Sequence, residues 1–549
     1  MIITKQMPGK YFLTKNLKHM RKHFSKTRCL KEKKVFALLI FISMLLLKQS
    51  LFAQPLMHPS ERILDDTTRQ ATIDSSSKTT VSKKENLLTT LFRHKKVYTF
   101  DTTQPASAPF AFGDFSWMNG QSRKTSDPAF SSKYFTGDVT FDFNYTGSFY
   151  HPIDNTVVGS TALSRDNELQ MSFLGAGGDI HFGNVRGRIM MQFGTRSTVV
   201  PRNDGSSYKG QYDLQTIYRY LSEAYAGYHW DVWHGINLDA GIFMSYIGLF
   251  SYNNFENWGY QPSYTSDNTP WFFNGIRVQM FPSVKTKIEV WFINGWQSYG
   301  EFNKMPGLGF AIVNSPDGFN KFISNNYFGT DVAGAPGVKR YHTDNSFEHL
   351  YYDDSNKKGP GIKRAAFTLT ADFGFQDGNA PGGVVYSPFG KNASNFIGIM
   401  AYHRIWFGDG MKWGWTIGGG AISNPSRYLA LVPGGYATDS FLAASVPGAK
   451  MAGWDASTCI DYNPSQLLTV RFELVHRFMN IPYFNGPGGV TGPTGYQTNP
   501  ATTYSPNSYI PNPPTIVNAQ GQSVPNPNFV PFDLVNAESR FILALIVRF

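Results

Sequence analysis

The chain has 549 residues, with 50 Lys and Arg against 39 Asp and Glu and a formal net charge of +11. Two cysteines exclude a disulfide-built scaffold, and beyond residue 47 no stretch approaches the 18 apolar residues of a membrane-spanning helix. Aromatics at 15%, 52 glycines and a negative mean hydropathy leave two classes open: a large soluble β protein, or a membrane barrel in which only one face of each strand meets lipid.

The N-terminus is basic up to Lys34 and runs into an uncharged apolar stretch, Val35 to Leu47, followed by Gln49-Ser50-Leu51-Phe52-Ala53. A basic region, a short apolar region and a small residue at the cut predict a secretory signal peptide over 1–53, cleaved after Ala53. An uncleaved anchor is the alternative, but the run is short for a membrane span. The basic region is long for a signal peptide, which makes Met20 an alternative start. Residues 1–53 hold 12 Lys or Arg and one acid, Glu32. The mature chain is therefore balanced, and its charge argues for no nucleic-acid partner. Cys29 leaves with the leader, so Cys459 remains alone.

Residues 54–129 begin with a Ser-, Thr- and Lys-rich stretch (Thr72 to Thr80) and predict a flexible periplasmic segment, with a helical turn over Leu87–Phe92. From about residue 130 the pattern becomes alternation. Asp138 to Tyr145 alternates throughout. Val185, Ile189, Met191 and Phe193 oppose Arg186, Arg188 and Gln192. Ile236 to Tyr246 sets Leu238, Ile242 and Tyr246 against Asn237 and Asp239. Thr286 to Trp296 sets Ile288, Val290, Phe292 and Trp296 against Lys287 and Glu289. Arg364 to Phe375 sets Phe367, Leu369, Phe373 and Phe375 against Arg364, Thr368 and Asp372. Leu468, Val470, Phe472, Leu474 and Phe478 oppose Thr469, Arg471, Glu473 and Arg477. A period of two, repeated this often, predicts two-faced strands.

Alternation suits a sandwich and a barrel equally. The leader, a final strand ending on Phe549, and aromatics near strand ends (Tyr145, Trp230, Tyr246, Trp296, Trp406, Tyr462) favour the barrel, where such rings sit at the membrane interfaces. Short turns are expected at Trp230–Gly235, Phe281–Val284, Phe407–Gly410 and Tyr462–Ser465. Long loops are expected at 195–214, 250–269, 376–393 and 481–538. That asymmetry predicts an all-β, transmembrane antiparallel β-barrel of about 14–16 strands over 130–549.

Several strings resemble the OmpL-like β-barrel porin family of the bacterial outer membrane: Glu223–Tyr228, Gly241–Gly248, Glu256–Tyr264, Asn274–Arg277, Trp291–Trp296, Arg471–Glu473 and Asn480–Phe484. The resemblance spans roughly 130–549 and leaves out the leader and residues 54–125. It implies an outer-membrane barrel that passes small solutes, with no ligand specificity to carry over.

Catalytic signatures are absent: there is no HExxH, GxSxG or CxxC, so no enzyme, metal or cofactor is expected. Gly383 to Lys391 has the wrong spacing for a phosphate loop, with Asn392 where a hydroxyl belongs. Gly175 to Gly178 reads as a tight contact within a strand. His342 and His349, near Asp353 and Asp354, read as a solvated loop, and His476 as an interfacial histidine. The constellation that could carry function is the inward charge. The pore-lining candidates are Arg186, Arg188, Arg219, Glu223, Asp239, Arg277, Lys287, Glu289, Arg364, Asp372, Arg471, Glu473 and Arg477, with Lys412, Asp142, Asp455 and Asp461 on the same parity. Basic and acidic walls facing each other would set a transverse field that tunes selectivity. Alternatively, the charges only solvate the lumen. Cys459 shares the inward parity as a lone thiol.

The reading is an outer-membrane porin for passive diffusion of small hydrophilic solutes. The alternative is a closed or filled barrel acting as a surface-binding or structural protein. The partners that follow are the lipid bilayer and lipopolysaccharide, the outer-membrane assembly machinery through Phe549, small hydrophilic solutes and, as an open option, further copies of the chain in a homo-oligomer.

Overall fold

A computed structural model describes residues 109–549 apart from 111, 125–127, 129, 202–203, 205, 207–210, 391–392, 427, 429–449, 488–495, 498–514, 519, 526–528 and 531–532. The leader, residues 54–108 with the turn expected at Leu87–Phe92, and Lys391 and Asn392 lie outside the described residues.

Sixteen antiparallel strands form one sheet that closes on itself. They are β1 Phe135–Ser148, β2 Leu169–Phe182, β3 Val185–Phe193, β4 Leu221–Trp230, β5 Ile236–Met244, β6 Phe272–Ser283, β7 Thr286–Ile293 and β8 Gly307–Asn314. They continue as β9 Asn320–Gly329, β10 Lys339–Asp353, β11 Ile362–Asn379, β12 Asn395–Phe407, β13 Trp413–Asn424, β14 Met451–Ser465, β15 Leu468–Met479 and β16 Ala537–Arg548. Closure comes from β1 pairing with β16, in register from Thr140 opposite Arg548 to Ser148 opposite Arg540. Closure leaves no strand edge, so each backbone N–H and C=O can be satisfied within the sheet while it crosses lipid. Phe549 extends the seam, its N–H donating to the Val139 carbonyl at 2.8 Å.

Short connections at 183–184, 231–235, 284–285, 315–319, 354–361, 408–412 and 466–467 alternate with longer ones at the other end. The turns expected at Trp230–Gly235 and Phe407–Gly410 fall at two of these, whereas those expected at Phe281–Val284 and Tyr462–Ser465 come a few residues later, because β6 runs to Ser283 and β14 to Ser465. In outer-membrane barrels the short turns face the periplasm. The final long connection carries three short antiparallel pairs, joining 484–485 to 534–535, 496–497 to 529–530 and 515–517 to 523–525.

The two faces separate by parity. Leu169, Ile189, Leu238, Phe292, Leu369, Ile399, Phe472 and Leu543 lie outside and exposed, while Asp142, Asp239, Glu289, Asp372 and Arg471 lie inside and buried. Outward rings gather near the short turns, as in Trp413 beside Tyr462 at 4.6 Å and Tyr228 beside Trp230 at 4.8 Å. Three expected belt residues turn inward instead. Trp296 stands edge-on to Tyr327 at 5.1 Å and Trp406 edge-on to Trp258 at 5.7 Å, and Tyr246 stacks on Trp291 at 4.8 Å. Tyr246 and Trp296 lie past the ends of β5 and β7, where strict alternation no longer governs direction.

The solvated loop expected around His342 and His349 is strand β10. The loop expected from residue 376 begins only after Asn379, because β11 runs to 18 residues.

Candidate functional site: the barrel interior

The third long connection, 245–271, folds back into the barrel. Its Gly259–Trp271 stretch is buried throughout, which requires partners for a run of backbone polar groups. Inward side chains of the wall supply them. Asp455 accepts from Ser263 Oγ at 2.9 Å and from the Tyr264 N–H at 2.8 Å. Glu473 accepts from the Tyr260 N–H. Arg471 donates to the carbonyls of Asn254 at 3.0 Å and Asn257 at 2.8 Å. Arg404 donates to the Trp258 carbonyl at 3.2 Å, and Arg477 pairs with Asp267 at 2.6 Å. Two strands along the same wall, on β1, Asp142 accepts from Tyr260 Oη at 2.9 Å and, on its other oxygen, from Asn254 Nδ2 at 2.9 Å.

Glycine makes the seat. A Cβ on Gly398 of β12 would come within 2.8 Å of the Thr265 side chain, and one on Gly420 of β13 within 2.4 Å of Ser263 Oγ. Small residues on these two strands admit the short helix Tyr264–Asp267 against the wall.

A second segment crosses the short-turn end. Phe110 donates its N–H to the Val284 carbonyl at 2.7 Å, and residues 112–123 follow. Trp117 Nε1 donates to the Gly318 carbonyl at 3.2 Å, and the Asn119 N–H to Glu348 at 2.8 Å. Trp258 then joins segment to loop, donating its N–H to Asn119 Oδ1 at 2.8 Å and its indole N–H to the Trp117 carbonyl at 3.0 Å. Burial opposes the charge of Asp114, yet the Arg364 guanidinium, 2.6 Å away, holds its carboxyl below the ordinary range. Within the loop, burial pushes the Glu256 carboxyl up to about 7, against the opposing pull of Ser251 and Arg548.

The remaining wall, β1 to β7 near the short turns, is more open. Arg188 makes three ion pairs, to Asp138 at 2.8 Å, Asp179 at 2.9 Å and Glu223 at 2.6 Å. Arg186 and Arg277 share Asp239 at 3.4 and 2.7 Å, and Lys287 meets Glu289 at 2.9 Å. Side-chain exposure here reaches 50% at Asp179, 34% at Asp138, 31% at Arg186 and 26% at Lys287. By contrast Arg404, Arg471, Arg477 and Asp461 are fully enclosed. Arg277 marks where the charged zone meets an aromatic one. Its guanidinium lies 4.5 Å from the Phe243 ring centre, 4.9 Å from Tyr225 and 5.4 Å from Trp291, contacts that favour a partly desolvated cation.

The interior charges pair locally and intermix; they do not sort into a basic wall and an acidic one. Of the sequence candidates, Arg186 and Lys287 are partly exposed near the short turns, and Arg188, Glu223, Asp239, Arg277 and Glu289 sit more enclosed beside them. Arg471, Glu473 and Arg477, with Asp142, Asp455 and Asp461, surround the third loop. Arg364 joins Asp114 and Asp353. Asp372 meets His342 Nε2 at 2.6 Å in a closed pocket. Arg219 lies outside the strands, at the end of the helix Leu214–Tyr218, over the Tyr220 ring at 4.9 Å. Lys412 is exposed in the turn before β13. Cys459 is buried, with Sγ 3.6 Å from Asp461 Oδ1.

Sequence reasoning missed Arg340, which pairs with Asp331 at 3.0 Å, Lys321 with Glu348 at 3.2 Å, and Arg404 with Asp461 at 2.8 Å. For Arg404 a signal existed: Ile397, Ile399 and Ile405 fix the outward parity of β12, which leaves residue 404 inward.

Among solved structures the chain is similar to OprB of Pseudomonas putida at 10% identity and TM-score 0.42, covering 76% of this chain and 94% of that one. It is also similar to OmpT of Vibrio cholerae at 8% identity and TM-score 0.39, covering 77% and 100%. A third is an anion-selective porin from Comamonas acidovorans, at 9% identity and TM-score 0.38, covering 76% and 99%. The sequence matches none of the curated proteins. One family model, described as "Putative beta-barrel porin-2, OmpL-like", matches residues 134–505, which take in fifteen of the sixteen barrel strands, all but the last. The chain belongs to this family of bacterial outer-membrane β-barrels.

Proposed function

We propose that the protein is a passive porin for small hydrophilic solutes, with an off-centre passage along the inner wall of β1–β7. The observation that carries this reading is the contrast in exposure between the two sides of the interior. Arg186, Asp138, Asp179 and Lys287 keep a quarter to a half of their side-chain surface open, while the charges beneath the third loop are enclosed. A path lined by hydrated charge spares a polar solute the cost of entering hydrocarbon. Close ion pairs of both signs suit small polar solutes of either charge over one strongly charged class. Arg186, Arg188, Glu223, Asp239, Arg277, Lys287 and Glu289 are the residues we assign to the passage. In this reading the chain performs no chemistry on its solute.

The filled-barrel alternative draws on the third loop and residues 112–123, both bonded to inward side chains of the wall. Single-channel recording on the refolded mature chain separates the two. Discrete conductance steps support the porin. A barrel that shows the heat-dependent gel shift of a folded closed sheet and yet conducts nothing would overturn it.

A further inference from the structure

On the outer wall, β9 and β10 break the apolar pattern. The middle outward positions of β9 read Phe322, Ser324, Asn326, Phe328, and those of β10 read Tyr341, Thr343, Asn345, Phe347, with Asn320 and His349 hydrogen-bonded to each other at 2.8 Å nearer the short turns. The register sets Ser324 opposite Asn345 and Asn326 opposite Thr343. Four neutral polar side chains thus form one block midway along both strands. The neighbours on either side are apolar: Ile312 and Phe310 on β8, Ala371 and Phe373 on β11. Aromatic pairs bound the block at both ends, Phe322 stacked on Phe347 at 4.8 Å and Phe328 beside Tyr341 at 5.0 Å. A recess of about 400 Å³ lies in this wall, with Asn326 and Thr343 among its lining.

Internal hydrogen bonds use only part of the block's capacity. Asn345 Nδ2 donates to Thr343 Oγ1 at 2.9 Å, and Asn326 Nδ2 to Ser324 Oγ at 3.3 Å. Among the described residues, no hydrogen bond reaches the Oδ1 atom of either Asn. Each amide therefore keeps an acceptor and a donor facing outward. Acyl chains can satisfy neither, and an unsatisfied amide in hydrocarbon is costly. The block carries no charge, so it selects no ion or charged headgroup. It does present donors and acceptors together, which makes it complementary to itself.

We propose that the β9–β10 face is a two-fold interface between two copies of this chain in the outer membrane. A two-fold axis along the membrane normal preserves depth, so block meets block, and β8 of one copy lies beside β11 of the other. That is an isologous contact. The four polar side chains bridge the copies by hydrogen bonds, and the flanking rings pack around them. This assembly stands whether or not the barrel conducts.

The test is crosslinking of the full chain in outer membranes. Asn345→Cys, oxidised with copper phenanthroline, is expected to give a band of twice the chain mass, because the residue lies beside the axis. Leu545→Cys, also outward but on β16, is the control and is expected to give none. Cys459 is buried and common to both. In detergent, Asn326→Leu and Asn345→Leu are each expected to weaken self-association about 3- to 20-fold, the range for one membrane hydrogen bond. Equal crosslinking at both sites, no crosslinking at Asn345→Cys, or a double variant that associates as tightly as its parent would each overturn the interface. A monomeric parent holding a lipid that the double variant loses would also end it, making the block a lipid site. Heat-dependent gel mobility reports whether the leucine variants fold. If they do not, the cysteine comparison decides alone.

Discussion

Asp461 shows what a single inward carboxylate does here. Arg471 grips it with two bonds, at 2.6 and 3.0 Å, and Arg404 adds a third contact at 2.8 Å. The same two guanidiniums hold carbonyls of the third loop at Trp258, Asn254 and Asn257. Asp461→Asn would leave two buried cations without the carboxylate they share. Losing one partner of a buried pair costs about 3–5 kcal/mol. Asp179→Asn, half exposed beside Arg188, is expected to cost about 0–1 kcal/mol. The temperature at which the folded gel band converts to the unfolded one measures both, and equal shifts would show that Asp461 is not a keystone. Alternation along β14 and β15 made the parity of Asp461, Arg471, Glu473 and Arg477 legible. It could not say what those residues face, because period two reports direction, and the partner here lies about 200 residues away in sequence.

At the scale of elements, legibility followed contrast between the two faces of a strand. Strand β3 was readable because Val185, Ile189 and Met191 oppose Arg186 and Arg188. Strand β10 was not, because Thr343 and Asn345 outside and Asp344, Ser346 and Glu348 inside are all polar. The polar block on the lipid face is thus the reason a strand was mistaken for a loop. The third loop was legible as a long connection between strands, but its return into the barrel depends on contacts distant in sequence. Its seat on β12 offers a test. Gly398→Val would press on the Thr265 side chain, within 2.8 Å of the new Cβ, and that side chain is fully buried. We expect the loop to lift from the wall, single-channel conductance to rise and brief closures to become frequent, with heat-dependent mobility retained. Unchanged conductance in a folded variant would count against a third loop that narrows the proposed passage.

For the whole molecule, the inner wall of β1–β7, where the passage is proposed, is less enclosed than the wall beneath the third loop and carries a small charge imbalance. Five carboxylates (Asp138, Asp179, Glu223, Asp239, Glu289) face four basic groups (Arg186, Arg188, Arg277, Lys287) there. Ions crossing near these groups should show weak cation preference, because close opposite pairs cancel at a distance. Two substitutions at exposed positions should then move the reversal potential in opposite directions. Arg186→Glu removes a positive charge and adds a negative one, which pushes selectivity further toward cations. Asp179→Asn removes a negative charge and moves selectivity toward anions. Both shifts should be larger in 0.1 M salt, where the field reaches about 10 Å, than in 1 M salt, where it reaches about 3 Å. Neither residue anchors the third loop or residues 112–123, so conductance should stay close to that of the parent. Reversal potentials that stay fixed in both variants while conductance persists would place the ion path elsewhere in the barrel. Shifts of the same sign would show that the substitutions act through a rearranged interior and not through their charge.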